Sequence, residues 1–221
     1  MKIKYPKSWH LPYSKKLTRG DRKHSTANHF IGKTVVVSIK LDGENTSIYN
    51  DFIHARSTNS DLDSEDRRWI DALRVAKIQN ELPSTYRICG ENLFYQHTCK
   101  YNNLQSLFYI FSIWDNNICL SWEDTKEWCD KLGVEHVSII YQGIYDEKII
   151  EQSFKKYCEE TENDVEGFVV RVKDSFDIKD FKFSLNKFVR KSFQIGSSHW
   201  RHSKKILNKL ENDMNPWDIL Y

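Results

Sequence analysis

Residues 34–49 constrain this chain more than any other stretch. A β-branched run, Thr34-Val35-Val36-Val37, leads into Ser38-Ile39-Lys40-Leu41-Asp42-Gly43-Glu44-Asn45, and Thr46-Ser47-Ile48-Tyr49 follows. β-Branched residues suit a pleated backbone and Asp-Gly is a turn signal, so the pattern reads strand, sharp turn, strand. Alternation puts Val36, Ser38 and Lys40 on one face and Val35, Val37 and Ile39 on the other. A lysine held at a strand end can be a covalent nucleophile, provided it loses its proton. Lys40-Leu41-Asp42-Gly43 alone also suits a surface hairpin, so the rest of the chain must decide.

At 221 residues, one domain over 1–221 is expected, large enough for a sizeable core. No apolar run is long enough to span a bilayer and the N-terminus lacks a signal-peptide core, which points to a cytoplasmic protein with no membrane partner. The five cysteines are odd in number and form no Cys-x-x-Cys pair. That suits a reducing compartment and argues against both a disulfide framework and a zinc site. The net charge of +2 hides segregation: residues 1–23 carry eight Lys/Arg against one Asp, and residues 179–209 carry nine against one. Residues 24–178 between them carry sixteen basic and twenty-six acidic side chains. Basic ends around an acidic middle suit a polyanion bound locally through phosphate contacts; two solvated basic segments are the plainer alternative.

Residues 1–33 read as a basic, extended lead-in. Strands are expected over 34–40 and 45–55, with Arg56 either a solvated strand end or a phosphate or ribose contact near Lys40. Asp61-Leu62-Asp63-Ser64 opens a helix over 65–79, where Trp69, Leu73 and Ala76 recur at helical spacing and read as core. A strand follows over 87–93, containing Gly90-Glu91-Asn92, and another over 107–115, rich in aromatic residues. Most of those rings belong to the core, but one can face a purine. Ser121, Asp124 and Gly133 bound a further helix, and another covers 147–160 with Ile150, Phe154 and Tyr157 inward. In the strand Val165–Val172, alternation groups Glu166 with Phe168, Val170 and Val172. A carboxylate on an apolar face is costly unless paired or bound to metal. The last strand is read from Phe181-Lys182-Phe183 through Phe193, with Lys187 and Lys191 on one face and Arg190 on the other. Residues 194–221 form a short basic C-terminal extension, in which Trp200 either packs the segment or stacks on a ligand's ring.

These pieces, in this order, resemble the covalent nucleotidyltransferase superfamily of RNA ligases, DNA ligases and mRNA capping enzymes, most of all compact ATP-dependent RNA ligases of the nick-sealing phage type. Lys40-Leu41-Asp42-Gly43 matches the nucleophile motif, with Asn45 at its downstream position. Gly90-Glu91-Asn92-Leu93-Phe94 resembles the third motif and Tyr109-Ile110-Phe111-Ser112-Ile113 the adenine-stacking strand. Glu166-Gly167-Phe168-Val169-Val170-Arg171 resembles the fourth motif and Lys187-Phe188-Val189-Arg190 the fifth. The resemblance implies an α+β ligase adenylation domain, mainly antiparallel sheets flanking a nucleotide cleft with helices outside. It implies that Lys40 is adenylated, that Arg56 and Glu91 hold the ribose and nearby phosphate, and that Asn45 supports the nucleotide. Phe111 would stack on adenine, Glu166 would help bind magnesium or manganese, and Lys187 would contact the α-phosphate of ATP.

The chain departs from the family pattern in three places. The fifth motif often has two lysines one residue apart; here Val189 stands at the second position, and Lys191 is placed to replace the charge. Related RNA ligases often carry an acidic residue before the nucleophile, where this chain has Ile39, so base choice would rest on backbone groups and Phe111. Little chain follows the fifth motif, leaving no room for an OB-fold. A free lysine has a pKa near ~10.4, so reaching about 7 takes roughly 4–5 kcal/mol of bias against the ammonium. One positive charge at ~4 Å in an effective dielectric of ~20 supplies about 4 kcal/mol, so a metal near Glu166 with Lys187 and Arg56 close by would suffice. RNA ends are the expected partner, with a separate end-healing enzyme as a possible companion. Two other readings stay open: another lysyl-nucleotide transferase, such as a small DNA ligase or a GTP-using capping enzyme, and a non-catalytic RNA-end-binding module.

Overall fold

Two sheets organise the chain, and the stretch around Lys40 carries the backbone from one to the other. The computed structural model describes residues 2–15, 17–58, 64–190 and 205–220. The elements in order are β1 (Trp9–His10), β2 (Thr34–Lys40), β3 (Glu44–Ile48), β4 (Ile53–Ala55), α1 (Glu65–Leu73), β5 (Tyr86–Asn92), β6 (Phe108–Asp115), β7 (Ile118–Cys119), α2 (Trp122–Leu132), β8 (Ile139–Ile144), α3 (Glu147–Glu160), β9 (Gly167–Val172), β10 (Phe176–Asp177), α4 (Phe181–Ser184) and β11 (Leu185–Val189). The first sheet runs β1-β11-β9-β2-β8 and the second β10-β7-β6-β5-β3-β4. Every ladder is antiparallel except β1 on β11.

The Asp42-Gly43 turn is therefore not a hairpin. β2 pairs with β8 and β9, whereas β3 pairs with β4 and β5. Val35, Val36 and Val37 are all buried because β2 is an inner strand covered on both faces, which calls for an unbroken apolar run. α3 packs against the first sheet through Phe154 on Phe168, with ring centroids 5.0 Å apart. α1 and α2 bring Trp69, Ile70, Leu73, Trp122 and Leu132 into the core of the second sheet. Among the described residues no helix is long and apolar enough to cross a membrane.

Several expected boundaries move. The strand over 45–55 is two strands, because Asn50-Asp51 turns the chain and Tyr49 N donates to Phe52 O. The helix from Glu65 continues as a π-helical turn over Arg74–Ile78. The wider turn exposes Ala76 and buries Ile78 in its place. Phe181–Ser184 is helical, not strand, because Asp177 accepts from Lys179 N to start a turn. That turn delivers Phe181 against Tyr5 at 5.5 Å. β8 was not foreseen. Asp61, Leu62, Asp63 and the expected strand residues from Lys191 onward, with Trp200, lie outside the described residues.

Candidate active site

A cavity of about 390 Å³ opens between the two sheets. β2 supplies Ser38, Ile39 and Lys40, β9 supplies Val169 and Arg171, and β11 supplies Leu185 and Lys187. The second sheet contributes Asn45, Glu91 and Phe111, with Arg56 just beyond β4. Seven of the residues singled out from sequence, Ile39, Lys40, Asn45, Arg56, Glu91, Phe111 and Lys187, thus line one space. Lys191 lies outside the described residues.

Glu166 reaches the same place by a route that alternation did not give. β9 begins at Gly167, just after Glu166, whose carbonyl still accepts from Arg190 N, and the Glu166 side chain meets Lys40, which alternation puts on the face opposite Phe168. Gly167 pairs with Lys40 across the sheet, and the Glu166 carboxylate accepts from Lys40 Nζ at 2.5 Å. A Cβ at Gly167 would lie 1.9 Å from Phe188 O, so only glycine lets β9 and β11 close beside this pair.

The Asp-Gly turn is held on two sides. Gly43 N donates to Glu91 Oε1 at 3.0 Å, and Asp42 N donates to the Tyr101 hydroxyl at 2.9 Å. The Asp42 carboxylate faces away from the cavity and accepts from Thr98 N and Cys99 N, at 2.7 and 2.8 Å. Glycine is required at 43 as well, since a Cβ there would meet Asn92 O at 2.3 Å. Across the cavity, Arg56 N donates to Asn45 O and its Nε donates to Tyr5 O at 3.3 Å. Phe111 is half-buried and braced by the edge of Tyr5, with ring centroids 5.2 Å apart.

The wall also holds groups that sequence reading missed: Tyr5, Lys7, Thr18 and Asp21 from the lead-in, and Arg171. Asp21 Oδ2 accepts from Thr18 N and Thr18 Oγ1, both at 2.8 Å. Its Oδ1 lies 3.1 Å from Lys7 Nζ and 3.6 Å from Lys187 Nζ. β1 brings this loop in, pairing Trp9 with Asn186 and His10 with Lys187. The available signal was the basic lead-in itself, but no local pattern says that Asp21 folds back on a lysine so far along the chain.

The charges around Lys40 oppose one another. Burial alone would depress Lys40, but Glu166 and Glu91 outweigh it and hold the ammonium well above the ordinary lysine range. The lowering expected from sequence included a divalent cation at Glu166; the protein's own side chains leave the two carboxylates dominant at Lys40. Burial raises Glu166 despite Lys40, and it raises Glu91 to about 7 against the pull of Lys40 and the Gly43 N–H. Lys187 is lowered by burial and by Lys40, while Asp21 opposes the shift. Asp21 is buried, yet the two Thr18 bonds and Lys187 keep it well below the carboxylate range.

Two orphaned atoms bear on what the cavity takes. Asn45 Oδ1 and Arg171 Nη1 are buried with no hydrogen-bond partner among the described residues, and both side chains line the cavity. A ligand with both hydroxyl donors and anionic oxygens satisfies such a pair, as a ribose phosphate does. No three His, Cys, Asp or Glu side chains among the described residues cluster as a metal site. Glu166 is a hard oxygen donor beside the cavity, which fits a magnesium-type ion held by one carboxylate, substrate phosphates and water.

A family model described as RNA ligase matches residues 33–191. A comparison with curated proteins finds no match. Among solved structures the chain is similar to a putative ATP-dependent DNA ligase from Aquifex aeolicus, at 22% identity over 74% of this chain and 45% of that one, TM-score 0.48. It is also similar to mutants of Naegleria gruberi RNA ligase: an apo form at 18% identity, covering 74% of this chain and 51% of that one, TM-score 0.45, and a form with ATP and Mn at 16% identity, covering 76% and 52%, TM-score 0.46. The chain spans about half the length of these solved structures.

Proposed function

The chain belongs to the RNA ligase family, and from that premise we propose that it joins RNA 5′-phosphate and 3′-hydroxyl ends through a lysyl-AMP on Lys40 and an adenylated RNA. The observation that carries the proposal is the position of Lys40: its ammonium ends β2 in the wall of the cavity, paired to Glu166, where the two sheets supply the other predicted contacts. ATP is the proposed AMP donor, with magnesium or manganese. Residues 1–221 are read as one nucleotidyltransferase unit in a reducing, cytoplasmic setting, acting in RNA repair beside a separate end-healing enzyme.

In the proposed first step the Lys40 Nζ lone pair bonds to the α-phosphorus of ATP. The bond from that phosphorus to the bridging oxygen breaks, and pyrophosphate leaves with the electron pair. Lys40 must first release its proton, which Glu166 holds in place while the pair is intact. A divalent cation at Glu166 would take up that carboxylate's charge and weaken its grip on the proton. Lys187 then faces the α-phosphate, Arg56 and Glu91 the ribose, Asn45 Oδ1 a hydroxyl, and Phe111 the adenine ring. In the later steps an RNA 5′-phosphate takes the AMP from Lys40, and a 3′-hydroxyl displaces AMP to form the phosphodiester.

The test is retention of label on the denatured chain after incubation with magnesium and α-labelled ATP or, separately, GTP. Label from ATP that is lost in Lys40→Ala is the expected result. Label that persists in Lys40→Ala would sink the assignment of the nucleophile, and label from GTP alone would move the reading to capping chemistry. A folded protein, free of bound AMP, that takes label from neither would favour an RNA-end-binding module.

A further inference from the structure

The cavity wall beside Lys187 carries more positive charge than one phosphate contact requires. Lys7, Lys40, Arg56, Arg171 and Lys187 line it against the carboxylates of Asp21 and Glu91. Arg171 is tied to the carbonyls of Leu120 and Val172, and Arg56 to that of Tyr5. Lys7 and Lys187 differ, because both approach the same oxygen of Asp21 and are therefore neighbours.

We propose that Lys7, held beside Lys187 on the Asp21 carboxylate, forms a second phosphate subsite next to the α-phosphate contact of Lys187, for a phosphate group other than the one that Lys40 attacks. The inference rests on the ligase reading for the identity of that group but not for the subsite itself. Asp21 is fixed by its own loop through Thr18, and Gly20 in the left-handed region (φ +83°) lets that loop turn tightly enough to present the carboxylate. Lys7 Nζ is pinned a second time, donating to Gly20 O at 2.6 Å. Each ammonium has three N–H donors, and these contacts leave at least one free on each lysine for an incoming oxyanion. Two cations on one carboxylate remain net positive. Their long side chains are already ordered, so a phosphate gains charge-assisted bonds without the usual cost of freezing lysine rotamers. Lys7 remains partly open to solvent, with its side chain 43% exposed, so a ligand can reach it.

The phosphate chemistry has two sources, the β,γ-phosphates of the nucleotide or the 5′-phosphate of a polynucleotide. Calorimetric titration with sodium pyrophosphate tests the subsite without any turnover. Wild type should bind, Lys7→Ala should bind about tenfold more weakly, and Lys7→Arg should recover much of the loss. Lys23→Ala removes an exposed lead-in charge that has no ion-pair partner among the described residues, and it should bind like wild type. A Lys7→Ala protein that binds pyrophosphate as wild type does would overturn the proposal, as would an equal loss in Lys23→Ala, which would mean diffuse charge. Kinetics then assign the source. A KM for ATP that rises about tenfold at unchanged kcat for lysyl-AMP formation assigns the nucleotide phosphates. Slower transfer from preformed lysyl-AMP to a 5′-phosphorylated oligoribonucleotide assigns the strand phosphate. If pyrophosphate binding depends on Lys7 but wild type never forms lysyl-AMP, the subsite stands and the ligase reading falls.

Discussion

The lead-in over residues 1–33 and the described tail over 205–220 bracket the chain, yet they meet the site in different ways. The lead-in places Tyr5, Lys7, Thr18 and Asp21 in the cavity wall, whereas no described tail residue lines it. The tail instead lies along the segment 93–104: Gln96 N donates to Ile206 O, Leu104 N to Lys209 O, and Asn208 bridges Leu93 and Tyr101. That segment in turn grips Asp42 through Thr98, Cys99 and Tyr101. The difference comes from what each end borders. β1 joins the sheet beside β11, the strand of Lys187, and so becomes wall. The tail borders a loop behind the nucleophile turn, and so becomes a brace.

If that contrast is right, tail substitutions should cost stability at any pH, whereas lead-in substitutions should change ligand binding or the pH response of stability. The largest effect is expected at Asn208, whose Oδ1 accepts from Tyr101 N at 3.1 Å and whose Nδ2 donates to Leu93 O at 2.8 Å. Asn208→Ala leaves a buried N–H and a buried carbonyl unpaired, a loss of roughly 2–4 kcal/mol in chemical denaturation. Pyrophosphate binding should be unchanged in the folded fraction; a stable Asn208→Ala with altered binding would reverse the two roles. A smaller effect is expected at His10 in the lead-in. Burial and Lys187 lower its pKa from 6.5 to about 4, so the folded chain resists protonation that the unfolded chain accepts. The stability at stake is fully present above pH 6.5 and is lost as the pH falls towards 4. Between pH 6.5 and 5 the loss is about 2 kcal/mol. His10→Gln lacks this dependence, and denaturation midpoints that fell in parallel for both proteins would contradict it.

The elements that local pattern could give were legible. The Val35-Val36-Val37 run announced a strand, and Ser121 with Gly133 bounded α2 as expected, with Asp124 N donating to the Ser121 hydroxyl. Most of the candidate site was legible too, because Lys40, Glu91, Phe111 and Lys187 sit at recognisable places on strands. What failed needed long-range knowledge. The Asp-Gly turn looks like a hairpin until the partners of β2 and β3 are known. Glu166 looks bound to the Phe168 face until β9 is seen to start two residues later than expected, at Gly167. Asp21 carries no local mark at all, since its partners Lys7, Thr18 and Lys187 meet only in the folded chain. The charge of Lys40 is long-range in the same way: the Glu166 carboxylate at 2.5 Å favours the ammonium, and only the fold brings the two together.

The finest test of the brace is Tyr101→Phe. The ring is buried, and the hydroxyl accepts from Asp42 N and also bonds with the Cys99 thiol, so the substitution keeps the packing and removes the hydrogen bond beside the nucleophile turn together with that thiol contact. Asp42 is partly exposed and water can take over some of the lost bond, so the stability loss should be about 1 kcal/mol. If the bond also helps to aim Lys40, lysyl-AMP formation should slow by about fivefold, the rate equivalent of about 1 kcal/mol. Combining Tyr101→Phe with Asn208→Ala decides whether tail and turn form one unit. With the loop already loosened at Tyr101 N, losing the hydroxyl should matter less, and the two stability losses should fall short of additivity by roughly 0.5 kcal/mol or more. Strict additivity would mean that the tail stabilises the loop without reaching Asp42. The described tail would then be a packed segment that does not reach the nucleophile turn, and of the two segments compared only the lead-in would serve the site.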